Sequence, residues 1–184
     1  MKKIILALMA IVVLGACSLP NTNPPEYIKQ FTVYKEGDGL VIYFILADSS
    51  GQMTTCDGEA VLIIKKLPSD FDEIQEAYEK LARKLGVSSS YLSEAGKREA
   101  LERAEEVIFD KKYSVKKESF INTKIGRGAF ESSATLFPFG RIPYNLLGKY
   151  TLRGKGKAEL TFTHIARPGD TGGRTWQAQG TFYF

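Results

Sequence analysis

The chain has 184 residues, of which 43% are hydrophobic and 11% aromatic, and it carries a formal net charge of +4. This composition is typical of one globular domain with a hydrophobic core and excludes a disordered chain. The charge is too small to indicate a nucleic-acid-binding protein, and one histidine with two cysteines excludes a zinc cluster of the usual kind.

The N-terminus has the pattern of an export signal. Two lysines follow the first methionine, and an uninterrupted apolar run extends from Ile4 to Leu14. This run is typical of a secretory signal and is too short for a comfortable bilayer span. It ends in Leu14-Gly15-Ala16-Cys17, which resembles the lipobox of bacterial lipoproteins. The resemblance implies that residues 1–16 are a lipoprotein signal peptide, cut off once the Cys17 thiol carries a diacylglycerol. The alternative is an ordinary signal peptide with a cysteine there by chance.

Acyl chains such as palmitate on Cys17 would hold the protein at a membrane, and two or more chains give stable attachment. The resemblance implies an exported protein of the cell envelope. Because Ser18 rather than Asp follows Cys17, the implied site is the outer membrane facing the periplasm if the source has two membranes. Otherwise it is the outer face of the cell membrane. Residues 17–26 contain three prolines and are predicted to be a short tether of up to about 3 Å per residue.

The folded domain is predicted to span residues 27–184. It opens with strands at Gln30–Lys35, Leu40–Ala47 and Glu59–Lys66, which are rich in β-branched and aromatic residues. No helical pattern separates the last two, so adjacent antiparallel pairing is the simplest prediction. With Cys17 acylated, no internal disulfide forms, and Cys56 is predicted to be a small buried hydrophobe; a reactive thiol or an intermolecular disulfide is the alternative.

The pattern changes to a helical period at about residues 69–109. Ser69 and Asp72 resemble a capping box before a first amphipathic helix, and Gly86 fits its C-terminal cap. A second helix is predicted near Tyr91 to Phe109. Its outer face carries charge pairs four residues apart, Glu94 with Arg98 and Glu99 with Arg103, which indicate a solvated face.

Strands resume after the helices. The predicted segments are Lys111–Lys124, Ala129–Phe137, Lys149–Arg153, Ala158–Ile165 and Thr175–Phe184. This order predicts a mainly β, immunoglobulin-like antiparallel β-sandwich with a two-helix insertion, and a small β-barrel with helices is the alternative. The domain resembles immunoglobulin and fibronectin type III sandwiches in architecture alone. It lacks their inter-sheet cysteine pair, and Trp176 lies on the last strand.

The sequence predicts no catalytic residue, metal site or cofactor. The single histidine, His164, shares a strand face with apolar residues, which favours a core or edge position over a catalytic pair with Cys56. Turn aspartates Asp38, Asp48 and Asp57 could converge at one end of a sandwich and bind calcium, but aspartates in turns are expected for local hydrogen bonding.

Two sets of residues are candidates for binding. Phe139, Arg141 and Tyr144 lie in a predicted apolar connection and could contact a partner; the alternative is a loop that buries its own rings. A second set, Arg153, Lys155 and Lys157, would share one strand face and could contact an anionic polymer or lipid headgroups. An ordinary solvated strand face is the alternative.

The resulting hypothesis is a lipid-anchored envelope protein that acts as a non-enzymatic binding or structural module. Its predicted partners are the membrane, through Cys17, and an envelope protein or anionic polymer, with no nucleic acid. A carrier of a lipid or small apolar ligand is the alternative, and an envelope hydrolase comes third.

Overall fold

The computed structural model describes residues 23–126, 131–148, 153–166 and 173–184. The signal peptide, Cys17 and most of the tether therefore lie outside the described residues, as do Lys149 to Leu152 of one predicted strand. The described elements, in chain order, are β1 (Tyr27–Glu36), β2 (Gly39–Ala47), β3 (Met53–Thr54), β4 (Gly58–Lys66), α1 (Phe71–Leu85), α2 (Glu94–Arg103), β5 (Glu106–Val115), β6 (Ile121–Ile125), β7 (Ser132–Pro143), β8 (Lys155–His164) and β9 (Thr175–Tyr183).

Within these ranges the strands form two antiparallel sheets that do not close into a barrel. The first sheet has the order β1-β2-β7-β6, with β3 beside β2, and the second has the order β5-β4-β8-β9. The predicted mainly β sandwich with a helical insertion is confirmed, and the barrel alternative is wrong. The strand prediction for residues 175–184 is also confirmed, because β9 covers all of it except Phe184.

The core lies between the two sheets. Inward residues of β4 and β8 alternate with more exposed ones, as expected for strands with one buried face, whereas the second half of β2 is buried on both faces. Phe44 occupies the centre, with its ring centroid 5.3 Å from that of Phe137 in its own sheet and 5.3 Å from that of Phe162 in the facing sheet. Phe162 in turn stacks on Trp176 at 5.9 Å. Aromatic rings thus fill the middle of the sandwich.

The predicted pairing of the second and third long strands is wrong. β4 crosses to the other sheet, where it pairs with β5 and β8, while β2 pairs with β1, β3 and β7. Both strands are strongly apolar, and each forms the interior of one sheet. With one strongly apolar strand inside each sheet, both sheets present an apolar inner face, and these faces pack against each other across the core.

Strand β7 continues through a segment that the sequence predicts as a connection. Its two prolines suggest a break, but Pro138 sits at a β-bulge, where the register against β2 shifts between Ile42 and Tyr43. Gly140 has φ 79° and pairs with Ile42, which leaves Phe139 as the extra residue. Proline is compatible with a strand at such a position because the ladder is already interrupted.

The first predicted helix is confirmed as α1, but its cap is not the predicted one. Asp70, rather than Ser69, is the N-cap, and its carboxylate accepts a 2.8 Å hydrogen bond from the backbone N–H of Glu73. Gly86 ends the helix at φ 70°, as predicted. The second helix is shorter than predicted, because the chain becomes β5 from Glu106 onward.

The reason for the early end of α2 is tertiary. Residues 107–109 are Val-Ile-Phe, which favour a strand. They pair with the end of β4, with Phe109 opposite Ile64 and Val107 opposite Lys65. Completing the sheet outweighs the helical period of the preceding residues.

Candidate functional site

The sandwich has two distinguishable ends. At the N-terminal end, β1 begins at Tyr27 opposite Ala47, and β4 begins at Gly58 opposite His164. An ion pair between Glu26 and Arg174 joins the sheets there. The opposite end, which we call the distal end, carries the β1–β2 turn, the helices and the last residue, Phe184. β2 has nine residues, so the two ends are about 30 Å apart.

The predicted partner-binding residues Phe139, Arg141 and Tyr144 are on or just after β7, towards the distal end, but they do not form one exposed patch. Phe139 is 9% exposed and packs in the core, with its ring 4.9 Å from that of Tyr113. Arg141 is exposed, pairs with Asp38 and donates a 3.2 Å hydrogen bond to the Glu36 carbonyl. It closes the β1–β2 turn onto β7.

Tyr144 follows the end of β7 and is half-buried. Its ring packs edge-on against Phe184 at 6.1 Å, and the Lys35 ammonium lies 5.7 Å from its ring centroid. Its hydroxyl is buried and has no hydrogen-bond partner within the described residues. Burial, with a smaller effect of the Asp38 carboxylate, raises the pKa of Tyr144. The rings of Phe139 and Tyr144 therefore pack against the domain itself, as in the loop alternative, although Phe139 lies in strand β7 rather than in a loop.

The predicted basic set is split by position. Arg153 precedes β8 and is exposed, whereas Lys155 and Lys157 lie two residues apart on the strand. Lys157 pairs with Glu105 at 2.6 Å and with Glu159 at 3.0 Å. Its charge is therefore balanced by two carboxylates rather than presented to solvent.

Lys65 belongs to the same group, with its Nζ 3.1 Å from Glu105 and 2.9 Å from Glu159. Two lysines and two glutamates thus alternate in one network over β4, β8 and the start of β5. For Glu159, burial alone would raise the pKa, but hydrogen bonds from Lys65 and Lys157 outweigh it, and the pKa lies below its ordinary value. We interpret this network as structural.

The turn aspartates do not converge. Asp38 lies in the β1–β2 turn at the distal end of the sandwich, whereas Asp48 follows β2 and Asp57 precedes β4, both at the N-terminal end of the sandwich. Asp48 is buried and accepts hydrogen bonds from Asn23 and from the backbone N–H groups of Ser50 and Gln52, and Asp57 accepts one from the backbone N–H of Lys117. In the described ranges, no group of three or more histidine, cysteine, aspartate or glutamate residues is arranged to hold a metal ion.

His164 and Cys56 are both buried, with exposures of 9% and 6%. His164 ends β8, and its backbone N–H donates to the Arg174 carbonyl. Cys56 packs in the main core, which agrees with its prediction as a small buried hydrophobe.

The feature that sequence reasoning missed is a groove between the two helices. Helices α1 and α2 pack against each other with their own small core of Leu81, Ala82, Leu92 and Ala100, separate from the core of the sandwich. The groove has a volume of about 350 Å³, and its lining residues are Ala77, Lys80, Leu81, Lys84, Ala100, Arg103 and Ala104.

The apolar pattern of α1 can be read from the sequence, but it does not identify the residues that line the groove. The three- and four-residue spacing of Phe71, Ile74, Tyr78, Leu81 and Leu85 predicts one buried face of the first helix. In the structure, however, Phe71 is 78% exposed and Leu85 is 58% exposed, while the small residues Ala77 and Ala82 are buried. The helices bury a narrow stripe and leave the flanking apolar residues exposed.

Comparisons with known proteins identify no relative: no family model, no characterised protein and no solved structure matches the chain significantly. In the part of the chain that the structure describes, neither helix is long and apolar enough to cross a lipid bilayer.

Proposed function

We propose that the protein is a lipid-anchored, non-enzymatic module of the cell envelope, attached to a membrane through acylated Cys17. The observation that carries the proposal is the order of features along the chain. A basic start, an apolar run and Leu14-Gly15-Ala16-Cys17 precede a β-sandwich whose first strand begins only ten residues after Cys17, at Tyr27. A short tether of this kind keeps the N-terminal end of the sandwich near the lipid and leaves the distal end available to a partner.

The aromatic core favours a binding or structural module over a carrier. Phe44 touches the rings of Phe137, Phe139 and Phe162 at centroid distances of 5.3 to 5.6 Å, in contact across both sheets. Such close packing occupies the space that an apolar ligand would need between the sheets.

The test is metabolic labelling with an alkynyl palmitate in a bacterium that processes lipoproteins, followed by separation of membrane and soluble fractions. We expect the wild-type protein to be labelled and membrane-bound, and Cys17→Ser to be unlabelled and unprocessed. Cys56→Ala is the matched cysteine control and retains the label. A wild-type protein that carries no label and is cleaved at a bond other than Ala16–Cys17 contradicts the proposal.

A further inference from the structure

The helical hairpin formed by α1, the connection after it and α2 projects from the distal end of the sandwich. It leaves the second sheet after β4 and returns to it at β5, and its helices pack on each other rather than on the sheets. At its tip, apolar side chains remain in solvent: Val87 is 45% exposed and Tyr91 is 83% exposed. A projecting pair of helices with exposed apolar residues has the features of an incomplete helical layer.

The groove between the helices combines an apolar floor with a basic rim. The floor consists of Leu81 and three alanines, whose small side chains allow another backbone to approach closely. Lys80 and Lys84 stand on the α1 side, one turn apart, and Arg103 stands on the α2 side. No ion pair involves Lys80 or Lys84 among the described residues, whereas Arg103 lies 2.6 Å from Glu99. The two lysines are therefore available to a partner.

We propose that this groove binds an acidic amphipathic helix of another envelope protein. Ala77, Leu81 and Ala100 are already buried by the hairpin itself, so the occupant is chosen by shape. It is a helix because the groove runs for about two turns between Ala77 and Lys84, alongside two helices that a third would complete as a layer. It is acidic because Lys80 and Lys84, which have no ion-pair partner among the described residues, flank the floor on the α1 side. The floor is recessed between two helices, where a flat bilayer surface does not reach. The inference rests on the proposed function, since it takes the partner to be in the envelope.

The experiment places a photo-crosslinking amino acid at Arg103, which is exposed at the rim of the groove, in the otherwise unaltered full-length protein in cells. Tyr183, exposed on β9, is the control position. We expect the product at position 103 to map by mass spectrometry to an acidic helical segment of one protein, with no such product from position 183.

Charge reversal in the same cells tests the role of the rim. The double variant Lys80→Glu/Lys84→Glu should reduce the crosslinked product by about tenfold or more. The control variant Lys111→Glu/Lys116→Glu makes the same charge change outside the hairpin and should leave the product unchanged.

Crosslinks to phospholipid, a product shared with position 183, no product at all, or a product insensitive to charge reversal would each overturn the inference. Palmitate labelling of the same samples separates the two proposals. If the protein is labelled with palmitate but gives no crosslinked product from the groove, only the proposed helix-binding role of the groove is wrong. If the protein is not labelled, the proposed lipid anchor is wrong.

Discussion

Two glycines set the spacing between strands and aromatic rings in the second sheet. A Cβ atom built on Gly58 would lie 2.5 Å from the Phe162 ring, and one on Gly156 would lie 2.5 Å from the Phe182 ring. Both distances are shorter than any normal contact, so these positions require the absence of a side chain. The aromatic face of β8 and β9 therefore depends on glycines in the neighbouring strands.

We predict that Gly58→Ala lowers the free energy of unfolding by roughly 1–3 kcal/mol, because the added methyl group overpacks the Phe162 ring and the nearby Thr163 carbonyl. Gly96→Ala is the matched control. In α2, a Cβ there meets only ordinary contacts, at 3.5 Å or more, so this change should stabilise the protein by about 0.5–1 kcal/mol. Urea unfolding of both variants and the wild type measures the free energies of unfolding. Equal changes in the two variants would contradict the specific role of Gly58 beside Phe162.

The network of Lys65, Lys157, Glu105 and Glu159 predicts a dependence of stability on pH. A carboxyl with a depressed pKa stabilises the folded state above its unfolded pKa, and this contribution disappears as the pH falls through the folded value. The pKa of Glu159 is depressed below 4.5, its ordinary value. We therefore expect Glu159→Gln to be less stable than wild type at pH 7, with the difference shrinking below about pH 4.5. The midpoints of urea unfolding of both proteins from pH 3 to 7 measure this difference in stability. A difference that stays constant with pH would refute the prediction.

At the scale of elements, the helical hairpin is joined to the sandwich by few contacts and depends on its own caps. Lys66 at the end of β4 pairs with Glu73 in the first turn of α1. The hydrogen bond from Lys66, with smaller effects of backbone N–H groups, lowers the pKa of Glu73 despite its partial burial. Glu73 also accepts a 2.9 Å hydrogen bond from the backbone N–H of Ser69. The start of α1 is thus held by its cap and by one ion pair to the sheet.

Asp70→Ala should destabilise α1 by about 1 kcal/mol, because the N–H of Glu73 loses its acceptor. Ser69→Ala should cost less, since Asp70 is the N-cap in the structure. Hydrogen exchange followed by mass spectrometry should show faster exchange in peptides from residues 71–85 for Asp70→Ala, with β2 and β8 unaffected. A larger effect of Ser69→Ala would instead support Ser69 as the capping residue, as predicted from the sequence.

At the scale of the whole molecule, the chain enters at one end of the sandwich and the hairpin leaves at the other. Hairpins β1–β2 and β8–β9 run between these ends, and strands β1 and β9 lie against each other along one side, where Val33 approaches Gly180. The proposed anchor at Cys17 would therefore direct the groove between the helices away from the lipid.

With the N-terminal end of the sandwich near the lipid and the hairpin at the other end, we predict different distances of the two ends from the membrane in vesicles that contain the acylated protein. A fluorophore on Gln52→Cys, near the N-terminal end, should transfer energy to a lipid-bound acceptor more efficiently than one on Tyr91→Cys, at the hairpin tip. The ends are about 30 Å apart, which is within the range of the method. Cys56 is buried and should not compete for the label. Equal transfer at both positions would show that the sandwich lies on its side.

Patterns in the sequence were sufficient for the features that depend on local chemistry. The period of two in β9, the period of three and four in α1 and the glycine that ends α1 at residue 86 can all be recognised without the fold, because neighbouring residues decide them. The same holds for the mainly β class. The predicted lipidation of Cys17 likewise rests on consecutive residues and stays a prediction.

The tertiary structure alone decided which sheet each strand joins, where α2 ends, how Pro138 fits within β7 and that Phe139 points into the core. Each depends on a partner distant in sequence: β4 on β8, Val107 on Lys65, and Pro138 on Tyr43. The groove has the same origin, since Lys84 and Arg103 share a rim only because two helices pack together. Local propensity favours an element, but burial against distant residues determines where that element ends and what it faces.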